Sequence, residues 1–476
     1  MYKNIKSFFF FFYMTTGSPT VNLLKFTVPL LIGNIAQQLY STVDSIIVGR
    51  YVGDTALAAI GATMPVIFLL MVLFMAIATG GGILVSQYYG ARSWKNLNKA
   101  IGNAISLIIL SSLLVMVIAI SLAPHLLALL STPDEIIHMS SDYMRVIFTG
   151  IVGFALFNMI SGILRGLGDS ISPLIFLLIT AVINILLDLW FVAALGWGVA
   201  GAAFATVIAQ VIAAALSVIR LLRMRDIVHL DRQSLMISRE LTVKLFRIGM
   251  PAGLTQAVIS LAMVVIQALA NSMGYQVITT TTAVMRIDAF AMMPNFTFGI
   301  AITTFVGQNM GAGKLERVDR GSRAAVILAV SVSTFLTLLL LLFGGSMIRL
   351  FTDTQEIVAL GIRMIRILAA GYIAMSLIQV FGGIMHGAGV TMPSMWIALF
   401  TTVFIRVPIA YSMAYLTRSA TWPNGSPDAL FFSLLISWVM GAVLTYGWYK
   451  RGTWRKKQIV SADERNLPEQ DTIHVG

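Results

Sequence analysis

KFTVPLLIGNIAQQL (residues 25–39) returns as FRIGMPAGLTQAVIS (246–260), setting Pro29 against Pro251. SQYYGARSWKNLNKA (86–100) returns as GQNMGAGKLERVDRG (307–321), which aligns Gln87 with Gln308 and Gly90 with Gly311. ILRGLGDSISP (163–173) matches IMHGAGVTMP (384–393) through Gly166 and Gly387, Gly168 and Gly389, and Pro173 and Pro393. The offset stays at 220–222 throughout, so the chain is a duplication of one unit. A bilayer is spanned by about 20 apolar residues in a helix. Twelve runs are long enough: 22–50, 55–82, 100–123, 137–161, 172–195, 198–222, 243–271, 278–305, 322–345, 362–385, 394–416 and 430–449. The predicted fold is therefore an all-α polytopic membrane protein, with twelve transmembrane helices in two six-helix lobes related by a pseudo-two-fold axis. An even number of helices per unit gives both lobes the same orientation, and such halves enclose a central cavity.

Composition agrees. The 476 residues are 58% hydrophobic and 11% charged, with a mean hydropathy of +0.88, far from a soluble globular composition. The net charge of +12 does not point to nucleic acid, because the basic residues are scattered over short loops and form no stripe. They cluster after the second, sixth and eighth runs, at Arg92, Lys95 and Lys99; at Arg220, Arg223, Arg225, Arg232 and Arg239; and at Lys314, Arg317, Arg320 and Arg323. By the positive-inside rule both termini are cytoplasmic and the chain is a multi-pass protein of the cell (inner) membrane. The expected organisation is a cytoplasmic tail (1–21), an N-lobe (22–222), a cytoplasmic inter-lobe loop (223–242), a C-lobe (243–450) and a cytoplasmic tail (451–476). The aromatic run at 8–13 is too short to span and reads as interfacial; Met14 opens a more ordinary start, so residues 1–13 read as an extension absent from the mature protein. With no cysteine, disulfides, thiol redox chemistry and iron–sulfur clusters are excluded. Enzyme motifs such as HExxH, GxSxG and GxxxxGK are lacking, so an enzyme is not expected.

Polar residues inside the apolar runs carry the function. In SPLIFLLITAVINILLDLWFVAALGWGVAGAAFAT (172–206), Asn184 and Asp188 stand at i and i+4 and share a helix face. A carboxylate at membrane depth costs roughly 2.5–3.5 kcal/mol on insertion scales. A structural aspartate needs a basic partner on a facing helix, and the first six runs offer none at that depth; Asp44 and Asp188 therefore read as functional. For Asn184 and Thr206, simple interhelical hydrogen bonding explains the sequence equally well.

The order Pro29…VDSIIVGR, GGGILVSQYYGA, NxxxD with GVAGAAFAT, and RIDAFAMMPNFTFGIAITTFVGQNMGAGK resembles the multidrug and toxic compound extrusion (MATE) family, in its DinF-like branch, from about Leu23 to Lys450. The resemblance implies two V-shaped lobes that export cationic or amphiphilic drugs in exchange for protons or Na+, with no further cofactor. It places Asp44, Asn158, Asn184, Asp188 and Thr206 at the coupling site, with Na+ at Asp44, Asn184 and Asp188 as the alternative to a proton. Tyr40 and Tyr143 add phenols to that cavity, although packing suits them as well. The second lobe departs from this pattern. The position of Asp44 falls at Ile266 or Gln267 and that of Asn158 at Gln379, so the acidic pair of the NorM-like branch is missing. Its charges are Arg286, Asp288 and Arg406; a salt bridge from Asp288 to either arginine is the expected arrangement, and an unpaired Asp288 is the alternative, as a counter-charge for cationic drugs. Gln267, Gln379, Arg286, Asp288 and Arg406 join the candidate substrate cavity. Pro29 is expected to bend the first helix when Asp44 is protonated. A monomer in the lipid bilayer is expected, with small-molecule drugs as partners and no nucleic acid. The competing function is a lipid-linked oligosaccharide or lipid flippase, kept open by Arg286 and Arg406.

Overall fold

The computed structural model describes residues 13–129, 132–456 and 460, so most of both predicted tails lies outside the described residues. Those residues hold helices and no strand. The first half contains α1 (Pro19–Tyr51), α2 (Asp54–Gly90), α3 (Trp94–Leu129), α4 (Asp134–Thr149), α5 (Ile151–Gly166), α6 (Ile171–Asp188) and α7 (Gly198–Arg223). The second contains α8 (Arg239–Ser272), α9 (Tyr275–Gly311), α10 (Leu315–Arg349), α11 (Gln355–Gly387), α12 (Met392–Leu399), α13 (Val407–Leu416) and α14 (Asp428–Arg451).

Among the described residues ten helical units are long and apolar enough to cross a bilayer and the bent α4–α5 pair makes an eleventh; α1, 33 residues long but diluted by polar residues, brings the long helical units of the bundle to twelve. Helices α4 and α5 form the fourth in chain order, bent by 48° at Gly150, where a Cβ would meet Val207 at 2.6 Å. Helix α6 continues into a π-helical segment, Leu189–Ala194, and a second π segment, Phe400–Arg406, joins α12 to α13 in the eleventh pass. Each π segment abuts a buried ionisable residue, Asp188 before the first and Arg406 ending the second. Such segments are rare and tend to mark functional sites. Several helices outrun their apolar cores: α2 reaches Gly90 and α3 starts at Trp94, because helical hydrogen bonding continues past the bilayer edge.

Glycine lets the two lobes meet backbone to backbone at one end. A Cβ on Gly90 would lie 1.9 Å from the Gln308 carbonyl oxygen, and one on Gly311 would lie 1.9 Å from that of Gln87. The glutamines close the junction reciprocally: Gln87 Nε2 donates to Gly387 O at 2.7 Å, and Gln308 Nε2 donates to Gly166 O at 2.9 Å. Residues 13–17 lie across the same junction. Met14 is fully buried and its N–H donates to Gln308 Oε1 at 3.0 Å. Arg317 donates to the carbonyls of Met14, Thr16 and Gly17, and the Tyr13 ring meets Tyr89 edge-on at 5.5 Å.

Candidate functional site

Further along the bundle, α1 exposes Gln37, Gln38, Ser41, Thr42 and Ser45 on one face. The hydroxyls of Ser41, Thr42 and Ser45 donate to backbone carbonyls one turn back, which satisfies them locally. Polar residues within a spanning helix face the bundle interior or water rather than lipid. This face therefore borders a wet cleft between the lobes.

The first lobe gathers its sequence-predicted residues beside that cleft. Helix α1 supplies Tyr40 and, one turn on, Asp44; α6 supplies Asn184 and Asp188, both fully buried; α7 supplies Thr206; and α4 supplies Tyr143, which is 8% exposed. The carboxyls of Asp44 and Asp188 lie within electrostatic reach of each other. Two neighbouring carboxylates repel when both are ionised, which favours a proton or a cation between them. With its amide oriented to satisfy both groups, Asn184 donates to Asp188 Oδ2 at 2.9 Å and accepts from the Thr206 N–H at 3.2 Å. The Tyr40 phenol lies beside Asp44, Asp188 and Thr206, and the Tyr143 phenol sits within electrostatic reach of Asp44, Tyr40 and Asp188. One oxygen on each carboxyl, Asp44 Oδ1 and Asp188 Oδ1, is buried without a hydrogen-bond partner. Neither aspartate has an ion-pair partner among the described residues. Chemically, the pair is an oxygen-rich cradle that needs a proton or a cation. Asn158 stands apart: its amide donates back to Phe154 O at 2.9 Å on its own helix and makes no hydrogen bond to the pair.

The second lobe is built differently. Asp288 on α9 accepts a hydrogen bond from the Tyr372 hydroxyl on α11. The expected salt bridge from Asp288 to Arg286 or Arg406 is not formed. Arg286, two residues away, points off the opposite side of the helix, is exposed, and lies 6.0 Å from the Phe351 ring centroid. Arg406 is 9% exposed and its Nε has no hydrogen-bond partner. Gln267 donates to Asn271 Oδ1 at 2.8 Å within its own helix. Gln379 packs on α9, where a Cβ on Gly299 would stand 3.1 Å from its carbonyl oxygen. The second-lobe residues thus remain separate contacts and do not converge on one cluster.

Pro29 lies inside an unbroken α1. The N-terminal part of that helix packs on the second lobe through Leu23 and Phe26; Asn34 Nδ2 donates to Thr297 Oγ1 at 3.0 Å, and the outer part delivers Asp44 to the first lobe. The proline therefore sits within the anchored part of the helix, between Phe26 and Asn34, about four turns before Asp44. Sequence reasoning missed Tyr372 as the partner of Asp288 and gave Gln87 and Gln308 no task. Their signal was present in the 221-residue offset, which pairs 87 with 308 and 166 with 387.

The MatE family matches this chain twice, at residues 29–190 and 251–412. This chain belongs to the MatE family. Its members are transporters, not enzymes, and they work on ion gradients without a bound cofactor. The chain is 29% identical over 444 residues to the probable multidrug resistance protein YoeA of Bacillus subtilis (strain 168), covering 91% of this chain and 94% of that protein. It is 23% identical to the probable multidrug resistance protein NorM of Thermotoga maritima over 454 residues, 93% and 94% of the two chains. Among solved structures, one described as MATE in the straight conformation superposes with a TM-score of 0.87 at 24% identity, covering 94% of this chain and 99% of that one. Both copies of the family match begin at the repeated proline, Pro29 and Pro251, so the MATE frame and the internal duplication are the same feature.

Proposed function

We propose that this MATE protein is a secondary active multidrug efflux antiporter that exports cationic or amphiphilic compounds in exchange for protons or Na+ by alternating access. The observation that carries this reading is the neighbouring Asp44 and Asp188 carboxyls, without a basic partner among the described residues and each with a buried, unpartnered oxygen. The names of the relatives, multidrug resistance and export proteins, supply the cargo class. The positive-inside pattern puts the clasped, basic end in the cytosol, with both termini there and the cleft opening outward. The protein acts as a monomer in the cell membrane.

In this outward state a proton or Na+ neutralises the pair, with Asn184, Thr206, Tyr40 and Tyr143 orienting the oxygens. Neutralisation frees α1 to bend at Pro29, and the drug leaves the cleft. Opening of the glutamine clasp then exposes the same carboxyls to the cytosol, where the ion leaves and drug reloads. The branch of the family is read as DinF-like because the second lobe lacks its own acidic pair. The flippase alternative draws on Arg406, a buried guanidinium whose Nε no protein group satisfies. Uptake of ethidium into proteoliposomes under an imposed pH or Na+ gradient, with Asp44→Asn and Asp188→Asn beside wild type, tests the choice. Gradient-driven accumulation lost in both variants supports antiport; no dye movement, or variants equal to wild type, overturns it.

A further inference from the structure

The outer surface of the second lobe carries a groove of about 750 Å³ between α8, α12 and α14. Its long walls are apolar: Trp396 is 59% exposed, Phe400 46% and Val443 59%, so this side of the lobe faces lipid. Two guanidinium groups flank the groove, Arg247 on α8 and Arg451 at the last residue of α14. Both are exposed, neither forms an ion pair among the described residues, and no carboxylate lines the groove. The groove starts at Gly389, two residues beyond the Gly387 carbonyl that Gln87 clasps, so the arginines sit at the same end of the bundle as the basic loops. Trp396 and Trp448 have the amphipathic rings that settle at headgroup level.

The first lobe treats its matching corner differently. There Asp169 accepts from Ser172 N and Oγ, and pairs with Arg220 at 2.9 Å. The repeat puts Val390 where Asp169 stands and Met440–Ala442 where Arg220 stands. One lobe closes the corner with its own anion; the other leaves an apolar slot with two unanswered cations beside it. We propose that this groove binds one anionic phospholipid, its phosphate between Arg247 and Arg451 and an acyl chain along Trp396, Phe400 and Val443. Basic pockets between spanning helices on the cytoplasmic side recognise anionic headgroups in this way. The inference does not depend on antiport.

Native mass spectrometry of the full chain in detergent, titrated with phosphatidylglycerol or with phosphatidylcholine of the same chains, tests it. Wild type is expected to retain one phosphatidylglycerol in preference to phosphatidylcholine. Each interfacial basic residue contributes about fivefold to the affinity, so R247A/R451A weakens binding roughly 30-fold while R247K/R451K keeps most of it. Both side chains are exposed, so the lipid-free unfolding midpoint of R247A/R451A should match wild type; if it does not, the phosphatidylglycerol preference of wild type decides alone. Millimolar glycerol 3-phosphate should fail to displace the lipid. Equal retention of the two lipids, equal affinity in R247A/R451A, or displacement by glycerol 3-phosphate overturns the proposal.

Discussion

The two lobes descend from one unit and keep its frame, yet they place their interior charges in opposite ways. In the first, Asp44 and Asp188 come from different helices to face each other, with Asn184, Thr206, Tyr40 and Tyr143 around them. In the second, Asp288 is tied to Tyr372, Arg286 lies by Phe351, and Arg406 stands alone. The symmetric parts are those that hold the lobes together, the glycines and glutamines of the junction. The asymmetric parts are the ionisable ones. Duplication thus preserved the hinge machinery and left one lobe free to hold the ion while the other diverged.

The largest effect that breaks this contrast is on driven transport. Asp44→Asn or Asp188→Asn should lower gradient-driven dye flux about 100-fold, because each removes a group needed in every cycle, whereas Asp288→Asn should change it by only a few-fold. Equal losses for Asp288→Asn and Asp188→Asn would erase the division of labour between lobes. Next come the junction glycines. Gly90→Ala and Gly311→Ala each force a Cβ to within 1.9 Å of a facing carbonyl oxygen, so both should destabilise the closed junction by at least about 1–3 kcal/mol, and by similar amounts. Unfolding midpoints, with cross-linking between introduced cysteines in this cysteine-free chain, read that out. Tyr372→Phe should cost about 1–3 kcal/mol of thermal stability by removing the hydroxyl that donates to the half-buried Asp288 carboxyl. Smallest is Asn158→Ala, which removes only a bond to its own helix and should stay within about 0.5–1 kcal/mol in unfolding experiments.

Much of this was legible in the sequence. The constant offset gave the duplication, the apolar runs gave the passes, and the i, i+4 spacing of Asn184 and Asp188 put both on one buried face. Helix α1 shows a boundary of such reading: Asn34, Gln37, Gln38 and Asp44 dilute its apolarity because they serve the cleft and the other lobe. Tyr372 was not legible, since a tyrosine in an apolar run looks the same whether it packs or donates. The separation of Asp288 from both arginines depends on helix rotation, which composition does not encode. The packing of residues 13–17 under Arg317 depends on carbonyl groups that every residue has, so nothing in their side chains announces it.

Ion release on substrate binding separates the two lobes most directly. Saturating ethidium is added to lightly buffered, detergent-purified protein, and released protons and Na+ are measured for wild type, Asp44→Asn, Asp188→Asn and Asp288→Asn. If the coupling ion resides in the first lobe, wild type and Asp288→Asn release it, and Asp44→Asn and Asp188→Asn release none. Release from Asp44→Asn and Asp188→Asn equal to wild type, or its loss in Asp288→Asn alone, would place the ion elsewhere and contradict the assignment.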